Sequence, residues 1–471
     1  RYFAVGSDGA GEQLVYLTGS HVNNNFHDGL GAGKDCPQDP ETFDYQAYLE
    51  FLRNHGHNFI RLWRWEQFTG YLPGADVHFC MQPQPWLRSG PGTARDGKPR
   101  FDLSTFDQSY FDRLRDRVVD AGNQGIYVSV MLFEGFSLHL TAVPDNIEGH
   151  PFHRANNVND IGIASIVDYQ ELPLDPQVRA LQEAYVRHAI DTVHDLPNVL
   201  YEVANESSGV RADSVELPDG STVDTPIGDS TEWQYWVIDL VKEYEDEKGY
   251  DKHPIGMTFQ YPVADQRKAN DTLWGSPADW ISPGFDDGPA PANSRWLLDP
   301  PANDGTKVVI SDTDHYSPFA ADALWAWKSF LRGHNPILYD LGIVNGVNPP
   351  VPMSGAPSYE SLEPARHAMG EARRFSELVG LGEMQPRGDL TSTGYALADP
   401  GSEYLVLQPD DGKASLDISL APGTYRSRWH DVNGGETVDG EDITVDQPAT
   451  LTLRRPFSGP TATVVHLTAT S

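Results

Sequence analysis

The stretch Val178-Arg-Ala-Leu-Gln-Glu-Ala-Tyr-Val-Arg-His-Ala-Ile-Asp-Thr-Val-His194, followed three residues later by Asn198-Val-Leu-Tyr-Glu-Val-Ala-Asn-Glu206, decides the fold. In its first part apolar side chains recur at helical spacing (Val178, Leu181, Tyr185, Val186, Ala189, Ile190, Val193), which marks one buried face. In its second part an apolar run broken only by Glu202 reads as a strand covered on both sides. A helix that hands the chain to a buried strand is half of a parallel crossover unit.

Working outward, the same alternation recurs. Apolar runs fall at residues 14–18, 58–63, 126–133, 199–204, 255–259, 280–281, 307–311 and 337–339. Amphipathic stretches fall at 45–55, 108–121, 178–194, 232–247, 324–332 and 363–379. Eight strands with helices in most of the gaps predict a (β/α)8 barrel, with the first dozen residues as a small hairpin on its floor. Beyond about residue 386 the helical period stops. Short alternating runs at 395–398, 404–408, 415–418, 424–429 and 450–453, with turn clusters at 409–412 and 433–435, predict a small antiparallel β-sandwich. The expected domains are therefore 1–386, the barrel, and 387–471, the sandwich.

Composition bounds the partners. The 471 residues carry 68 Asp and Glu against 34 Lys and Arg, a formal charge of −34 that repels nucleic acid and anionic membranes. No run approaches the ~20 apolar residues of a membrane span. Asp outnumbers Glu and Arg outnumbers Lys, as a salt-tolerant surface or a GC-rich coding sequence would each produce. Cys36 and Cys80 are either two buried thiols or one disulfide of an exported protein.

In such a barrel the reacting groups lie at the carboxyl ends of the strands. The fourth run ends in Asn205-Glu206 and the second places Arg61 and Trp63 at its end. The seventh passes into Asp312, Asp314 and His315, the third ends in Glu134, and the first ends in His21 with Asn25 beyond it. Tyr261 follows the fifth run, and His150 sits in a long polar insertion after the third, where loops of that length act as lids. Glu134 is a candidate either to touch substrate or to orient Arg61. Trp63, Trp65, Trp86 and Trp274 are candidate faces for a sugar ring. Glu202, four residues before Glu206, shares its parity and points into the barrel as a paired acid. No H-x-H ends the first strand, and no H-E-x-x-H, G-x-S-x-G or phosphate-binding loop occurs.

The Asn-Glu ending the fourth strand, the Arg ending the second and the acid ending the seventh resemble clan A glycoside hydrolases, which include the family 5 cellulase-like enzymes. The segment Tyr16-Leu-Thr-Gly-Ser-His21-Val-Asn-Asn-Asn25-Phe-His-Asp28 is similar to a cellulase-like or apiosidase-like bacterial subgroup. Gly423-Thr-Tyr-Arg-Ser-Arg-Trp429 resembles the collagen-binding-type sandwich often fused to such barrels. The resemblance implies hydrolysis of O-glycosidic bonds, with Glu206 as acid/base, Asn205 on the sugar 2-hydroxyl and Arg61 steadying the nucleophile. It implies a carbohydrate partner, no cofactor or metal, and a secreted or extracytoplasmic location.

The seventh strand departs from that pattern. The clan places Glu where this chain has Asp312, and no Glu occurs between Glu247 and Glu360. Asp312 is the aligned nucleophile, with Asp314 in reserve on the same parity. One methylene fewer withdraws the carboxylate by about 1.5 Å. Carboxyl groups ~5–5.5 Å apart retain configuration and those ~6.5–9.5 Å apart invert it; retention is implied, and the shorter acid leaves inversion open. The alternative function is a non-catalytic carbohydrate-binding protein on a degenerate barrel.

Overall fold

The computed structural model describes residues 1–6, 13–31, 36, 40, 42–72, 77–139, 144–209, 215–216, 222–223, 228–261, 263, 266–284, 295–316, 320–340 and 357–470. Eight parallel strands form its centre: β1 (Gly19–His21), β2 (Phe59–Leu62), β3 (Tyr127–Glu134), β4 (Val199–Asn205), β5 (Ile255–Thr258), β6 (Trp280–Ser282), β7 (Val308–Asp312) and β8 (Asn335–Tyr339). They pair in the order 1-8-7-6-5-4-3-2, each parallel to its neighbour. Helices α1 (Tyr45–Asn54), α2 (Gln108–Asn123), α3 (Pro176–Val193), α4 (Thr231–Lys248), α5 (Gln266–Gly275), α6 (Ala323–Leu331) and α7 (Tyr359–Ser376) follow most strands. The chain is a (β/α)8 barrel followed by an antiparallel β domain.

The seam between β1 and β2 is closed by a side chain. The Asn58 amide donates to the Tyr16 carbonyl (2.9 Å) and accepts from Thr18 N–H (2.9 Å), standing in for ladder bonds. A Cβ on Gly19 would lie 2.0 Å from the Phe59 carbonyl oxygen, so only glycine lets the two strands approach there. This corrects the expected first strand: residues 13–15 pair with Phe3–Val5 as the floor hairpin, and β1 begins at Gly19. Part of the Asp excess is local. Asp44, Asp107, Asp175 and Asp322 each accept backbone N–H bonds at a helix N-terminus.

Between β1 and α2 the chain adds antiparallel pairs that the sequence reading did not anticipate. Val77–Gln82 pairs with Asp28–Leu30 and Gly70–Leu72, and Trp86–Thr93 pairs with Pro99–Phe106. Pro83, Pro91 and several glycines break the period-2 pattern that would have revealed them. Cys36 and Cys80 form a disulfide that ties this insertion to the loop after β1.

The C-terminal region holds two antiparallel sheets. The larger orders Gln385–Pro386, Ala396–Asp399, Glu403–Gln408, Thr463–Ala469, Gly423–Asp431 and Thr437–Asp439, with Ile443–Val445 also on Gly423–Asp431. The smaller pairs Ser415–Leu420 with Ala449–Arg454. One face of the larger sheet packs Tyr404, Val406, Tyr425 and Val465 against Leu416, Ile418 and Leu453 of the smaller. Its other face puts Leu405, Leu407 and Val464 into the core shared with the barrel helices. Burial on both faces removes the alternation from 463–469, which is why that strand escaped the sequence reading. No described helix is long and apolar enough to cross a membrane.

Candidate active site

The barrel mouth is organised around one guanidinium. Arg61, 1% exposed at the end of β2, donates from Nε and Nη2 to the two Glu202 oxygens (3.0 and 2.5 Å). Nη2 also reaches Asn205 Oδ1 (2.7 Å), while Nη1 reaches Asp312 Oδ2 (3.0 Å) and Asp314 Oδ2 (3.3 Å). All five of its N–H donors are therefore engaged. Parity explains part of the set: Glu202 points inward from β4, and Asp312 and Asp314 share one parity at the end of β7, whereas Asn205 has the opposite parity and reaches Arg61 from the last position of β4. Because Asn205 accepts from Arg61, its amide hydrogens remain to donate elsewhere.

The two aspartates differ. Asp312 is fully buried; its Oδ1 accepts from His21 Nε2 (2.9 Å) and Asp314 N–H (2.9 Å), and its Oδ2 from Arg61. Burial alone would raise its pKa, but His21 and Arg61 outweigh burial and hold the carboxyl well below the usual range. Asp314 sits two residues later with 8% of its surface exposed. Burial, then the negative charge of Asp312, pushes it up to about 7.

Glu206 follows the last residue of β4 and adopts a left-handed backbone, φ 44°, a conformation that costs a non-glycine residue free energy and concentrates at functional sites. The neighbouring chain makes room: a Cβ on Gly135 would lie 2.8 Å from the Glu206 carbonyl oxygen and 2.5 Å from Ser207 Cα. Burial, then the charges of Asp314 and Glu134, raises the Glu206 carboxyl well above its ordinary value, against a smaller opposing pull from Arg61. One cation among four carboxyl groups cannot neutralise them all, so protons stay on the group with the weakest cation contact.

The other sequence candidates fall around this centre. Glu134 does not reach Arg61. Its carboxylate accepts from Ser137 Oγ (2.6 Å), and burial pushes it up to about 8. Asn25 brackets the end of β2, donating to the Arg61 carbonyl (2.7 Å) and accepting from Trp63 N–H (2.8 Å). Trp63 stacks with His21 and Tyr339 and lies 5.0 Å from the Arg61 guanidinium. Trp63, Trp65 and Trp86 are buried in packed clusters and offer no open sugar face. His315 is buried, with Nδ1 on Ser282 Oγ (3.0 Å) and its ring stacked on Phe259. Tyr261 also stacks on Phe259, and its N–H donates to the Ser207 carbonyl. His150 reaches Glu66 (3.3 Å) instead of the mouth.

Sequence reasoning missed two features. Tyr339, the last residue of β8, lies in the field of Asp314, Glu206 and Asp312, and the strand-end rule alone would have found it. Arg64 and Glu66 head a second buried cluster: Arg64 Nη2 meets Glu66 Oε2 (3.2 Å), which also accepts from Tyr169 OH (3.0 Å), while Glu66 Oε1 accepts from Glu134 N–H (3.1 Å).

The family described as "Domain of unknown function (DUF6298)" matches residues 73–212. No curated protein sequence matches the chain. Among solved structures it is similar to a glycoside hydrolase family 5 protein from Bacteroides vulgatus ATCC 8482, at 12% identity and a TM-score of 0.59, covering 99% of this chain and 93% of that one. A second protein of that organism, titled as a glycoside hydrolase of uncertain assignment, shares 13% identity at a TM-score of 0.58, covering 100% and 82%. A third, titled "Glycoside hydrolase", shares 12% at 0.56, covering 97% and 93%. The fold is thus that of glycoside hydrolase barrels.

Proposed function

We propose that the protein is a glycoside hydrolase that cleaves O-glycosidic bonds of a poly- or oligosaccharide at the mouth centred on Arg61. The observation that carries this reading is the charge imbalance there: two carboxyl groups, Glu206 and Asp314, held near each other with raised affinities for protons, beside a third, Asp312, that is locked as an anion. Pairs of acids whose environments separate their proton affinities are how one site supplies both an acid and an anion.

Glu206, which keeps its proton more firmly, donates it to the glycosidic oxygen as that bond breaks. The second carboxylate attacks the anomeric carbon, and Glu206, now ionised, takes a proton from the water that releases the sugar. The strand-end reading of the sequence favours Asp312 for the attack. We assign it to Asp314 in its ionised form, because both Asp312 oxygens are already engaged by His21, Arg61 and the Asp314 amide. Asp314 must first release its proton to solvent, so turnover by this route rises with pH up to about 7. Asp312 then fixes Arg61, and Asn205 offers its amide hydrogens to a sugar hydroxyl. The reaction uses only these side chains, and the two domains would divide into a catalytic barrel, 1–386, and an appended sheet domain, 387–471, in an extracytoplasmic protein.

A panel of polysaccharides and aryl glycosides, run with wild type, Glu206→Gln, Asp314→Asn and Asp312→Asn, tests this. Turnover of one glycan, lost by at least ~10²-fold in the first two variants, supports the reading. Azide restoring turnover in Asp314→Ala but not in Asp312→Ala supports the assignment, and the reverse pattern returns the role to Asp312. Binding of a glycan with no turnover in wild type overturns hydrolysis in favour of a binding protein.

A further inference from the structure

On the outside of the barrel, away from the mouth, three side chains from two helical segments converge. His55 caps the C-terminus of α1, and Glu363 and His367 are one turn apart on α7. His55 Nε2 lies 3.1 Å from Glu363 Oε1, and His367 Nε2 lies 3.0 Å from the same carboxylate oxygen. One ligand atom from each of the three lies within 4.8 Å of the other two.

The hydrogen-bond accounting around His55 is unusual. Its Nδ1 sits 2.9 Å from the Phe51 carbonyl oxygen, which can only accept, so Nδ1 carries the proton. A neutral ring then presents a bare lone pair at Nε2, and that lone pair faces a carboxylate oxygen, a second acceptor. Something positive has to stand between them. At His55 either a second ring proton or a bound cation answers this, and at His367 a neutral ring donating from Nε2 already satisfies the contact. What a single divalent ion adds is a common partner for the three ligand atoms that converge here.

We propose that His55, Glu363 and His367 bind one borderline transition-metal ion of the zinc class, with water as the fourth ligand. Bonds of ~2.0–2.1 Å in a tetrahedral shell place neighbouring ligand atoms about 3.3 Å apart, close to the 3.1 and 3.0 Å from Glu363 Oε1 to the two imidazoles, with the ligand atoms of the two rings within 4.8 Å of each other. The outer contacts are those a metal site uses. The Phe51 carbonyl orients the ligating imidazole, and Arg366 Nη1 holds the other carboxylate oxygen of Glu363 (2.9 Å) while its Nε and Nη2 grip Asp340. Half-exposed Glu363 and exposed His367 leave the fourth position open to solvent. Two imidazoles and one carboxylate select zinc, nickel or copper over magnesium or calcium. The ion would clip α1 to α7, the helices that follow the first and last barrel strands.

Tag-free full-length protein, stripped with chelator and titrated with ZnCl2 at pH 7.5, tests the site. One equivalent should bind with micromolar or tighter affinity, raise the melting temperature by roughly 2–5 °C, and with Co2+ give the visible bands of a tetrahedral N/O site. His367→Ala and His55→Gln should each weaken that binding at least ~10-fold, with glycan turnover unchanged. Asp314→Asn should leave it intact, which separates this site from the acid cluster at the mouth. Absence of stoichiometric binding, or equal affinity in wild type and both histidine variants, overturns the proposal. His367 is exposed, so its replacement does not endanger folding.

Discussion

Arg61 and Arg64 stand three residues apart, both fully buried, and their surroundings differ in one respect. Arg64 has a single carboxylate, Glu66, and spends the rest of its surface on the Leu132 carbonyl and on the rings of Tyr185 (4.0 Å) and Phe133 (5.4 Å). Glu134, whose N–H meets Glu66, has its carboxyl pushed up to about 8 by burial. Arg61 instead touches three carboxylates, with Glu206 nearby as a fourth. A balanced charge cluster holds a fold together; an overloaded one raises the proton affinity of its surplus acids.

Breaking the comparison at its strongest point gives the largest effect. Glu206→Gln removes the stored proton and should lower kcat by ~10³-fold, within the range for a lost general acid, while leaving the melting temperature almost unchanged. A Glu206→Gln enzyme with near-normal kcat would falsify the acid role. Arg61→Met should abolish turnover and also destabilise by about 3–5 kcal/mol, since it strands Glu202 and Asp312 without their cation; urea unfolding beside an activity assay reads both.

Arg64→Met sharpens the contrast. It should cost a similar ~3–5 kcal/mol by stranding Glu66, yet the folded fraction should retain turnover within a few-fold. Reducing the disulfide, or Cys36→Ser with Cys80→Ser, should cost ~2–4 kcal/mol, measured as a fall in the urea midpoint with the barrel mouth intact.

A graded effect, spread over several pH units, is in the pH dependence of stability. Glu134 titrates near 8 in the folded chain and near its ordinary 4.5 when unfolded. Its folded-state pKa is raised, so its contribution is complete below about 4.5 and is lost as pH rises towards 8, at up to ~1 kcal/mol per pH unit. Glu134→Gln should flatten that slope in melts between pH 5 and 8; an unchanged slope would assign it to other groups.

Much of this was legible in the sequence, for identifiable reasons. Most of the strands showed because parallel strands buried on both faces read as apolar runs; the first was placed a few residues early, and the short Trp280–Ser282 gave only a weak signal. Arg61, Asn205, Glu206, Asp312 and Asp314 followed from the strand-end rule. The Arg64 cluster did not, because its members come from β3, the insertion after it and the segment beyond β2, a meeting that no local spacing encodes. Two cysteines allow a disulfide without requiring it. The choice between Asp312 and Asp314 turns on which carboxylate His21 reaches, a contact between strands close in the barrel but 291 residues apart in sequence.

The strand at Thr463–Ala469 lies in the middle of its sheet, between Glu403–Gln408 and Gly423–Asp431. On the ribosome, with synthesis at roughly 5–20 residues per second, those two outer strands exist for several seconds before the one that joins them. Through that interval each offers a bare hydrogen-bonding edge beside apolar side chains, the condition that favours pairing with another nascent chain. Yield on overexpression should therefore be set less by the barrel than by how quickly the last strand arrives, and slowing translation just upstream of it should raise aggregation without altering the finished fold.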